Sequence, residues 1–177
     1  MTKRALYAAT FDPVHYGHLD LMERAAAIFD ELVVGVYDHN RPTKSIIFPV
    51  QDRVQMIMEA MNNLPNVKVL PYGGLTVEFA KKIGAQVMVR GMRVFSDFEF
   101  EFRLALANQR LDPEIETISF MTREEHMFLS GTTVREIASL GGDVSSMVPA
   151  NVATALYAEF NGQDTGSSYQ PPVPLRD

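Results

Sequence analysis

Short apolar runs alternate with longer amphipathic stretches along the chain. Residues 32–36 and 87–89 are apolar on successive positions, which is typical of parallel strands covered by helices on both faces. Strands that are separated by helices predict an α/β fold with a parallel sheet. The predicted strands are 4–9, 32–37, 67–70, 86–90 and 115–121, and the predicted helices are 17–29, 49–63, 75–83, 97–111, 131–140 and 149–160.

The whole pattern suits one domain. A chain of 177 residues is long enough to bury one sizeable core. We therefore expect a Rossmann-like, doubly wound sheet of five parallel strands with helices on both faces, built from residues 1–160. Residues 161–177 lack periodicity and contain three prolines, so they predict a flexible C-terminal tail.

One predicted helix shows how the methionines are used. Within the second predicted helix, Val50, Val54, Ile57, Met58 and Met61 fall on one face. The chain has ten methionines, and most of them lie at apolar positions of this kind. We therefore assign the stripe to the core, and the methionines to packing rather than to a soft-ligand metal site.

Composition excludes several classes of function. The sequence contains no cysteine, which rules out disulfides and a cysteine nucleophile and fits a reducing, cytoplasmic compartment. No apolar run approaches the roughly 20 residues that span a bilayer, and no secretory signal is visible, so we expect no membrane partner. The formal net charge of -6 disfavours nucleic acid as a partner, because nucleic acid needs a broad basic surface.

Residues 10–18 carry the strongest candidate chemistry. They read Thr-Phe-Asp-Pro-Val-His-Tyr-Gly-His and join the first predicted strand to the first predicted helix. A helix N-terminus offers unsatisfied N–H groups and partial positive charge, and His15 and His18 add donors at the same place. This combination predicts a phosphate site. The alternative is that the two histidines only cap a turn.

Three more polar loops follow predicted strands. In an open parallel sheet the carboxyl ends of the strands lie at one edge, where ligands bind. The loop 38–45 supplies Lys44, a glycine between Arg90 and Arg93 lets the backbone approach a ligand, and Ser130 begins a helix rich in hydroxyls. Taken singly, these features are a solvated lysine, a surface ion pair and an ordinary N-cap. Together at one edge they predict a ligand with several phosphates.

Paired acids and standard motifs narrow the mechanism. Glu99 and Glu101 are two residues apart and point in different directions on a helix, so they form no acid–base dyad and suit structural or ribose-binding roles. The sequence has no P-loop, no Gly-x-Gly-x-x-Gly after the first strand and no Gly-x-Ser-x-Gly elbow. With no clear nucleophile or base, we expect catalysis by positioning and charge stabilisation.

Three segments carry a recognisable combination of residues. They are Thr10-Phe11-Asp12-Pro13 with Gly17-His18, then Ser130-Gly131-Thr132-Thr133-Val134-Arg135, and Arg90-Gly91-Met92-Arg93 followed by Asp97-Phe98-Glu99-Phe100-Glu101 and by Leu104, Ala105, Asn108 and Leu111. The first two resemble the paired motifs of the nucleotidyltransferase superfamily. The third is similar to the segment that marks the phosphopantetheine adenylyltransferases. The resemblance spans about residues 3–160.

The resemblance implies an enzyme that joins ATP and 4′-phosphopantetheine to give dephospho-coenzyme A and pyrophosphate. It implies Mg²⁺, direct in-line attack without a covalent enzyme intermediate, and a homohexamer, and it makes coenzyme A a candidate feedback ligand. It assigns no residue to the metal ion. It implies catalytic roles for His18, Lys44 and Arg93, with His18 stabilising the transition state, and acceptor contacts from Thr10, Lys44, Leu75, Thr76 and Arg90. It implies ATP contacts from Ala9, Thr10, His18, Gly91, Met92, Arg93, Glu101, His126, Met127, Phe128, Leu129, Ser130, Gly131 and Thr132.

The sequence departs from the family pattern before and within the first motif. Ala8-Ala9 stands where the family has Pro-Gly, and a side chain at position 9 weakens phosphate binding if the backbone there must take a positive φ. His15 and Tyr16 replace the family's Thr-Asn and are similar to sister enzymes that adenylylate nicotinate mononucleotide. That acceptor is one alternative function, and a nucleotide-binding regulator without turnover is the other.

Overall fold

The computed structural model describes residues 2–39 and 46–161. The α/β class, the five parallel strands and the helices on both faces of the sheet are confirmed. Lys44 and residues 162–177 of the predicted tail lie outside the described residues. The elements in chain order are β1 (Arg4–Ala9), α1 (Tyr16–Ala26), β2 (Glu31–Tyr37), α2 (Val50–Ala60), β3 (Val67–Tyr72), α3 (Thr76–Lys82), β4 (Val87–Met92), α4 (Phe95–Leu111), β5 (Glu116–Met121), a 3-10 turn (Glu124–His126), α5 (Gly131–Ser139) and α6 (Ala150–Asn161).

The order of the strands creates a crevice beside β1. The sheet runs β3-β2-β1-β4-β5, and every pairing is parallel. After β3 the chain crosses to the other side of β1, so the strand order reverses between β1 and β4. A crevice opens beyond the carboxyl ends of the strands at such a reversal. These strands end at Ala9 and Met92, so the loops that follow them lie side by side.

Alternate residues of the central strands enter two apolar layers. In β1, Ala5 and Tyr7 face a large layer that includes α1, α2, α5 and α6, whereas Leu6 and Ala8 face a smaller layer that includes α3. Burial of both faces explains why these strands lack a polar alternation. The core therefore fixes the β1 end of the crevice from both sides.

The prediction that Met58 belongs to the core is wrong. Its side chain is 50% exposed, whereas Met56 and Ile57 are buried and the side chain of Arg53 is also buried. Each residue turns a helix by about 100°, so the buried arc is centred between Arg53 and Ile57, and Met58 falls outside it. A stripe drawn from apolar residues alone missed this centre, because an arginine occupies part of it.

Candidate active site

Two adjoining cavities open beyond the ends of β1 and β4. The first has a volume of about 270 Å³ and the second of about 430 Å³. Ala9, His18, Arg90 and Gly131 line both cavities and therefore form their shared wall. The first is also lined by Gly91, Arg93, Glu101, His126, Leu129 and Ser130, and the second by Thr10, Asp12, Phe100, Thr132 and Arg135. The structure thus brings three of the four predicted loops together. The fourth loop contains Lys44, which lies outside the described residues.

The turn between β1 and α1 is closed by two histidines. His15 is the N-cap of α1, and its Nδ1 accepts the backbone N–H of His18 at 3.3 Å. The Nδ1 of His18 accepts the backbone N–H of His15, also at 3.3 Å. The two rings stack with their centroids 3.6 Å apart. Because both Nδ1 atoms accept, each neutral ring carries its proton on Nε2.

Both histidines are neutral at pH 7. Burial lowers the pKa of His15 to about 3, helped by coulombic interactions with Arg93 and with His126. Burial also lowers the pKa of His18 well below its ordinary value, with smaller contributions from His15 and Arg93. Capping, the alternative interpretation of these residues, is thus correct for their Nδ1 atoms. It leaves the Nε2–H group of His18, in the shared wall, as a donor for a ligand.

Gly17 fits closely against the His15 ring. A Cβ atom at this position would lie 3.2 Å from the His15 ring and 3.4 Å from the Cβ atom of His126. At these distances the His15 ring would have to shift by a few tenths of an ångström. The glycine of the Gly-His pair therefore has a steric reason that is local to this turn.

Arg90 and Glu101 form a bidentate ion pair in the wall of the first cavity. Arg90 donates from Nε and Nη2 to the two carboxylate oxygens at 2.7 and 2.8 Å, and from Nη1 to the Ala8 carbonyl at 3.1 Å. Burial alone would lower the pKa of Arg90, but the bonds to Glu101 outweigh it and raise the pKa. Glu99 pairs instead with Arg103 on the exposed side of α4, so the two acids form no dyad, as predicted.

Arg93 links the end of β4 to the loop that precedes α5. Its backbone N–H and its Nε both donate to Asp97, at 3.0 and 3.2 Å, and its Nη1 donates to the Leu129 carbonyl at 3.0 Å. Burial opposes ionisation of Asp97, but the bonds from Arg93 hold the pKa of that carboxyl below its usual value. Arg93 therefore contributes a fixed positive charge beside the two histidines.

The N-terminus of α5 closes the site from the opposite side. Ser130 is its N-cap, and the hydroxyl accepts the backbone N–H of Thr133 at 3.1 Å, as the ordinary N-cap interpretation predicts. A Cβ atom on Gly131 would lie 3.0 Å from the backbone oxygen of Asp12. Arg135 donates to that same oxygen. Glycine therefore allows the helix N-terminus to touch the β1–α1 turn, where its N–H groups favour an anion.

The remaining predicted residues lie around this centre. The hydroxyl of Thr10 is 3.0 Å from Nε2 of His39, and that of Thr76 is 2.9 Å from the Tyr72 hydroxyl. Thr76 and Arg90 share a third, small cavity of about 40 Å³. Leu75, the N-cap of α3, is half-exposed, and so is Phe128. Met92 and Met127 line an apolar groove beside Arg93 rather than either main cavity.

The backbone at Ala9 carries no strain of the kind that the departure from Pro-Gly suggested. Within the described ranges, Phe11 is the non-glycine residue with a positive φ, at 50°. Ala9 ends β1 in ordinary extended backbone and lines both cavities. The absence of glycine at position 9 therefore needs no compensating distortion.

Two carboxylates line the cavities, and both are engaged. Glu101 receives Arg90, while Asp12 accepts the backbone N–H groups of Ile47 at 2.9 Å and Phe48 at 3.0 Å. Residues 2–39 and 46–161 contain no group of three or more His, Asp or Glu side chains that could hold a metal ion. The described walls therefore assemble no set of three side chains for a metal ion. Mg²⁺ in nucleotide sites is commonly held by one or two carboxylates together with substrate phosphates.

Sequence reasoning missed Arg53, which lies behind the second cavity. Its guanidinium donates to the Thr10 carbonyl at 2.5 Å and to the Tyr37 carbonyl at 3.0 Å. The available signal was its position in the apolar stripe of α2, between Val50 and Ile57. A charged residue on the core face of a helix needs buried partners.

Comparisons with known proteins identify the family of this chain. The cytidylyltransferase-like family model matches residues 6–137. A phosphopantetheine adenylyltransferase of Lachnoclostridium phytofermentans is 45% identical over 161 residues, which are 91% of this chain and 98% of that protein. One from Roseiflexus sp. is 49% identical over 152 residues, which are 86% of this chain and 94% of that protein.

A solved structure shares the fold. The crystal structure of a candidate nicotinate-nucleotide adenylyltransferase from Vibrio parahaemolyticus aligns with a TM-score of 0.70 over 93% of this chain and 98% of that one. Its sequence identity is 19%, so the likeness concerns the fold alone. Among the described helices, none is both long and apolar enough to cross a membrane. With matches over most of its length, the chain belongs to the cytidylyltransferase-like family and, within it, to the phosphopantetheine adenylyltransferases.

Proposed function

We propose that this protein transfers the adenylyl group of ATP to 4′-phosphopantetheine, giving dephospho-coenzyme A and pyrophosphate. The observation that carries the proposal is the shared wall of the two cavities, which contains His18 and Arg90. Two substrates that react with each other need adjoining sites with the reacting phosphorus at the junction. Family membership supports this acceptor, because the relatives at 45% and 49% identity are named for it.

Each cavity suits one substrate. The first suits the adenylyl end of ATP, because Gly91 and the loop before α5 leave backbone groups accessible beside Arg93. The second suits the phosphate of the acceptor, because Thr10 and Arg90 line it. The small cavity beside Thr76 then suits the start of the pantetheine arm.

The reaction demands little covalent chemistry from the protein. A phosphate oxygen of the acceptor attacks the α-phosphorus of ATP, and the bond to the pyrophosphate oxygen breaks in line with it. The nucleophile is already an anion, so no general base is required, in keeping with neutral His15 and His18. The Nε2–H of His18 donates to the charge that develops on the phosphoryl oxygens, and Arg90 supplies positive charge. Lys44 and Arg93 complete the catalytic set in this proposal.

The proposal is tested by offering two acceptors in parallel. Pyrophosphate release is followed with ATP and Mg²⁺, adding either 4′-phosphopantetheine or nicotinate mononucleotide. We expect release with the first acceptor, together with dephospho-coenzyme A as product. Release with nicotinate mononucleotide alone favours the sister activity, and tight ATP binding without any product favours a regulator. Either result refutes the proposal.

We further propose that Mg²⁺ enters with ATP and that coenzyme A is a feedback ligand. Polyphosphates need a cation to offset their charge during transfer, and the carboxylates of the described walls are already bonded. Coenzyme A contains the pantetheine arm and should compete with the acceptor. Removing Mg²⁺ by a chelator should stop turnover, and added coenzyme A should raise the KM for 4′-phosphopantetheine without lowering the limiting rate.

We also propose a homohexamer in the cytoplasm. Support for self-association comes from exposed apolar side chains on α4 and β5, which a single chain leaves in water. The hexameric number comes from the family resemblance, and the compartment from the absence of cysteine in the sequence. Light scattering should give about six times the chain mass of 19.8 kDa, and a monomeric mass would refute the assembly. The exposed residues are Phe98, Phe100, Phe102, Leu106, Ile118 and Met121.

A further inference from the structure

A buried arginine joins three separate segments behind the second cavity. Arg53 of α2 is 1% exposed. Its Nε donates to the Phe48 carbonyl at 2.9 Å, and its Nη1 donates to the carbonyls of Thr10 at 2.5 Å and Tyr37 at 3.0 Å. Thr10 follows β1 and Tyr37 ends β2, so one side chain ties the ends of two adjacent strands to the start of α2.

An arginine is a costly residue at this position. Burial lowers the pKa of Arg53, and the negative charges of Asp12 and Asp38 only partly oppose that effect. An apolar side chain of similar volume would pack on the same face of α2 without burying a charge, and such replacements are often neutral or stabilising. Core packing alone therefore does not explain why an arginine is used here.

The turn that Arg53 holds is also held from the other side. Asp12 accepts the backbone N–H groups of Ile47 and Phe48, and Arg135 lies 3.6 Å from its carboxylate. Phe48 therefore donates its N–H to Asp12 and offers its carbonyl to Arg53. The three-residue stretch from Thr10 to Asp12 forms one side of the second cavity. It is held at the Thr10 end by Arg53 and at the Asp12 end by the contacts just described.

We infer that Arg53 is a positioning residue for the reacting phosphates, acting through the main chain at Thr10. By fixing the Thr10 carbonyl it sets where the Thr10 hydroxyl and the following turn stand relative to His18 in the shared wall. Arg53 itself touches no substrate. The inference rests on the proposed function, because it assigns the second cavity to the acceptor phosphate.

The test separates positioning from plain stability. Arg53→Met removes the donors and keeps an apolar chain, while Arg53→Lys keeps the charge with a shorter reach. Ile57→Val and Ile57→Ala are matched controls, because Ile57 is fully buried on the same helix and packs in the core. Melting temperature, kcat and the KM for each substrate are measured for all four variants and the wild type.

We expect Arg53→Met to raise the KM for 4′-phosphopantetheine at least tenfold and to lower kcat at least tenfold. The Ile57 variants, compared at equal loss of melting temperature, should stay within twofold of wild type. If Arg53→Met does not fold, the kcat and KM of Arg53→Lys are compared with those of the Ile57 variants in the same way. Kinetic constants of the arginine variants that follow the Ile57 series would overturn the inference.

A double-mutant cycle with Thr10→Ala tests the route of the effect. If Arg53 acts through Thr10, adding Arg53→Met to the Thr10→Ala variant should change the kinetics less than threefold. Independent, multiplicative effects would overturn that route. A wild-type protein without turnover on 4′-phosphopantetheine would refute the proposed function instead. In that case the ATP affinity of Arg53→Met, measured by calorimetry, would decide the role of Arg53. A loss of ATP affinity no larger than that of Ile57→Ala would contradict positioning.

Discussion

Removal of the His18 ring should cost turnover much more than it costs ATP binding. Nδ1 of this ring accepts the backbone N–H of His15 at 3.3 Å. The Nε2–H group is therefore the part of the ring that can donate a hydrogen bond to a ligand. Because burial keeps the pKa of His18 far below 7, that donor is neutral, and it contributes a hydrogen bond rather than a charge. Loss of one preorganised donor to a charged transition state costs about 2.7–4 kcal/mol, or roughly 10²–10³ in kcat.

Two variants and a control isolate this donor. His18→Ala removes it, whereas His18→Gln returns an amide N–H near the former Nε2 and should recover part of the rate. His15→Ser is the matched control, because serine also caps a helix and the Nε2–H of His18 stays in place. We expect the control to lose less than about tenfold in kcat, well below the cost of a lost transition-state donor.

Single-turnover kinetics and calorimetry give the deciding comparison. Single-turnover rates report the chemical step, and calorimetry reports the ATP dissociation constant of each variant. Equal losses of rate and ATP affinity in His18→Ala would place the donor in ground-state binding. A rate for His18→Ala within tenfold of wild type would refute transition-state stabilisation by His18. Between pH 6 and 8, kcat should show no inflection from this ring, because its pKa lies lower.

Three further predictions concern the frame of the site. The folded-state pKa of His15 is lowered to about 3, so the unfolded chain takes up a proton on this residue at a higher pH than the folded chain does. The free energy of unfolding therefore decreases as pH falls below about 6.5, by up to about 1.4 kcal/mol per pH unit. Urea unfolding at pH 4 to 7 should show this slope, and His15→Ser should reduce it. Gly131→Ala places a methyl group 3.0 Å from a backbone oxygen and should cost about 1–3 kcal/mol in unfolding free energy and weaken ATP binding; an unchanged ATP affinity would contradict the close contact. Glu101→Ala leaves Arg90 without its bidentate partner and should cost about 1.5–3 kcal/mol in the same assay, and a neutral result would show that the pair does not hold the wall.

Much of the frame could be predicted from local sequence. Unbroken apolar runs identify strands buried on both faces, and Ser130 and the histidines lie where helices begin. The carboxyl ends of parallel strands share one edge of the sheet, so the loops after β1 and β4 can be assigned to that edge from sequence. This rule predicts that His18 and Arg90 lie near each other. The strand order confirms that expectation, because β4 lies directly beside β1.

Other features depend on contacts that sequence spacing does not encode. The bidentate partner of Arg90 lies 11 residues away, and Arg53 reaches Thr10 across 43 residues. Whether a charged residue on a helix faces the core depends on the carbonyl groups that other segments present to it. The same limit explains Met58: a hydrophobic pattern that does not count Arg53 shifts the centre of the buried face toward Met58.

The stereochemical course at the α-phosphorus of ATP tests direct transfer between the two substrate cavities. The protein is supplied with Mg²⁺, 4′-phosphopantetheine and one diastereomer of ATP that carries sulfur on the α-phosphate, and the configuration of the product is read by phosphorus NMR. A single in-line displacement beside the shared wall gives dephospho-coenzyme A that carries the sulfur on its adenylyl phosphate, with inverted configuration at that phosphorus. Retention of configuration, or no adenylylated product, would contradict direct transfer between the two cavities.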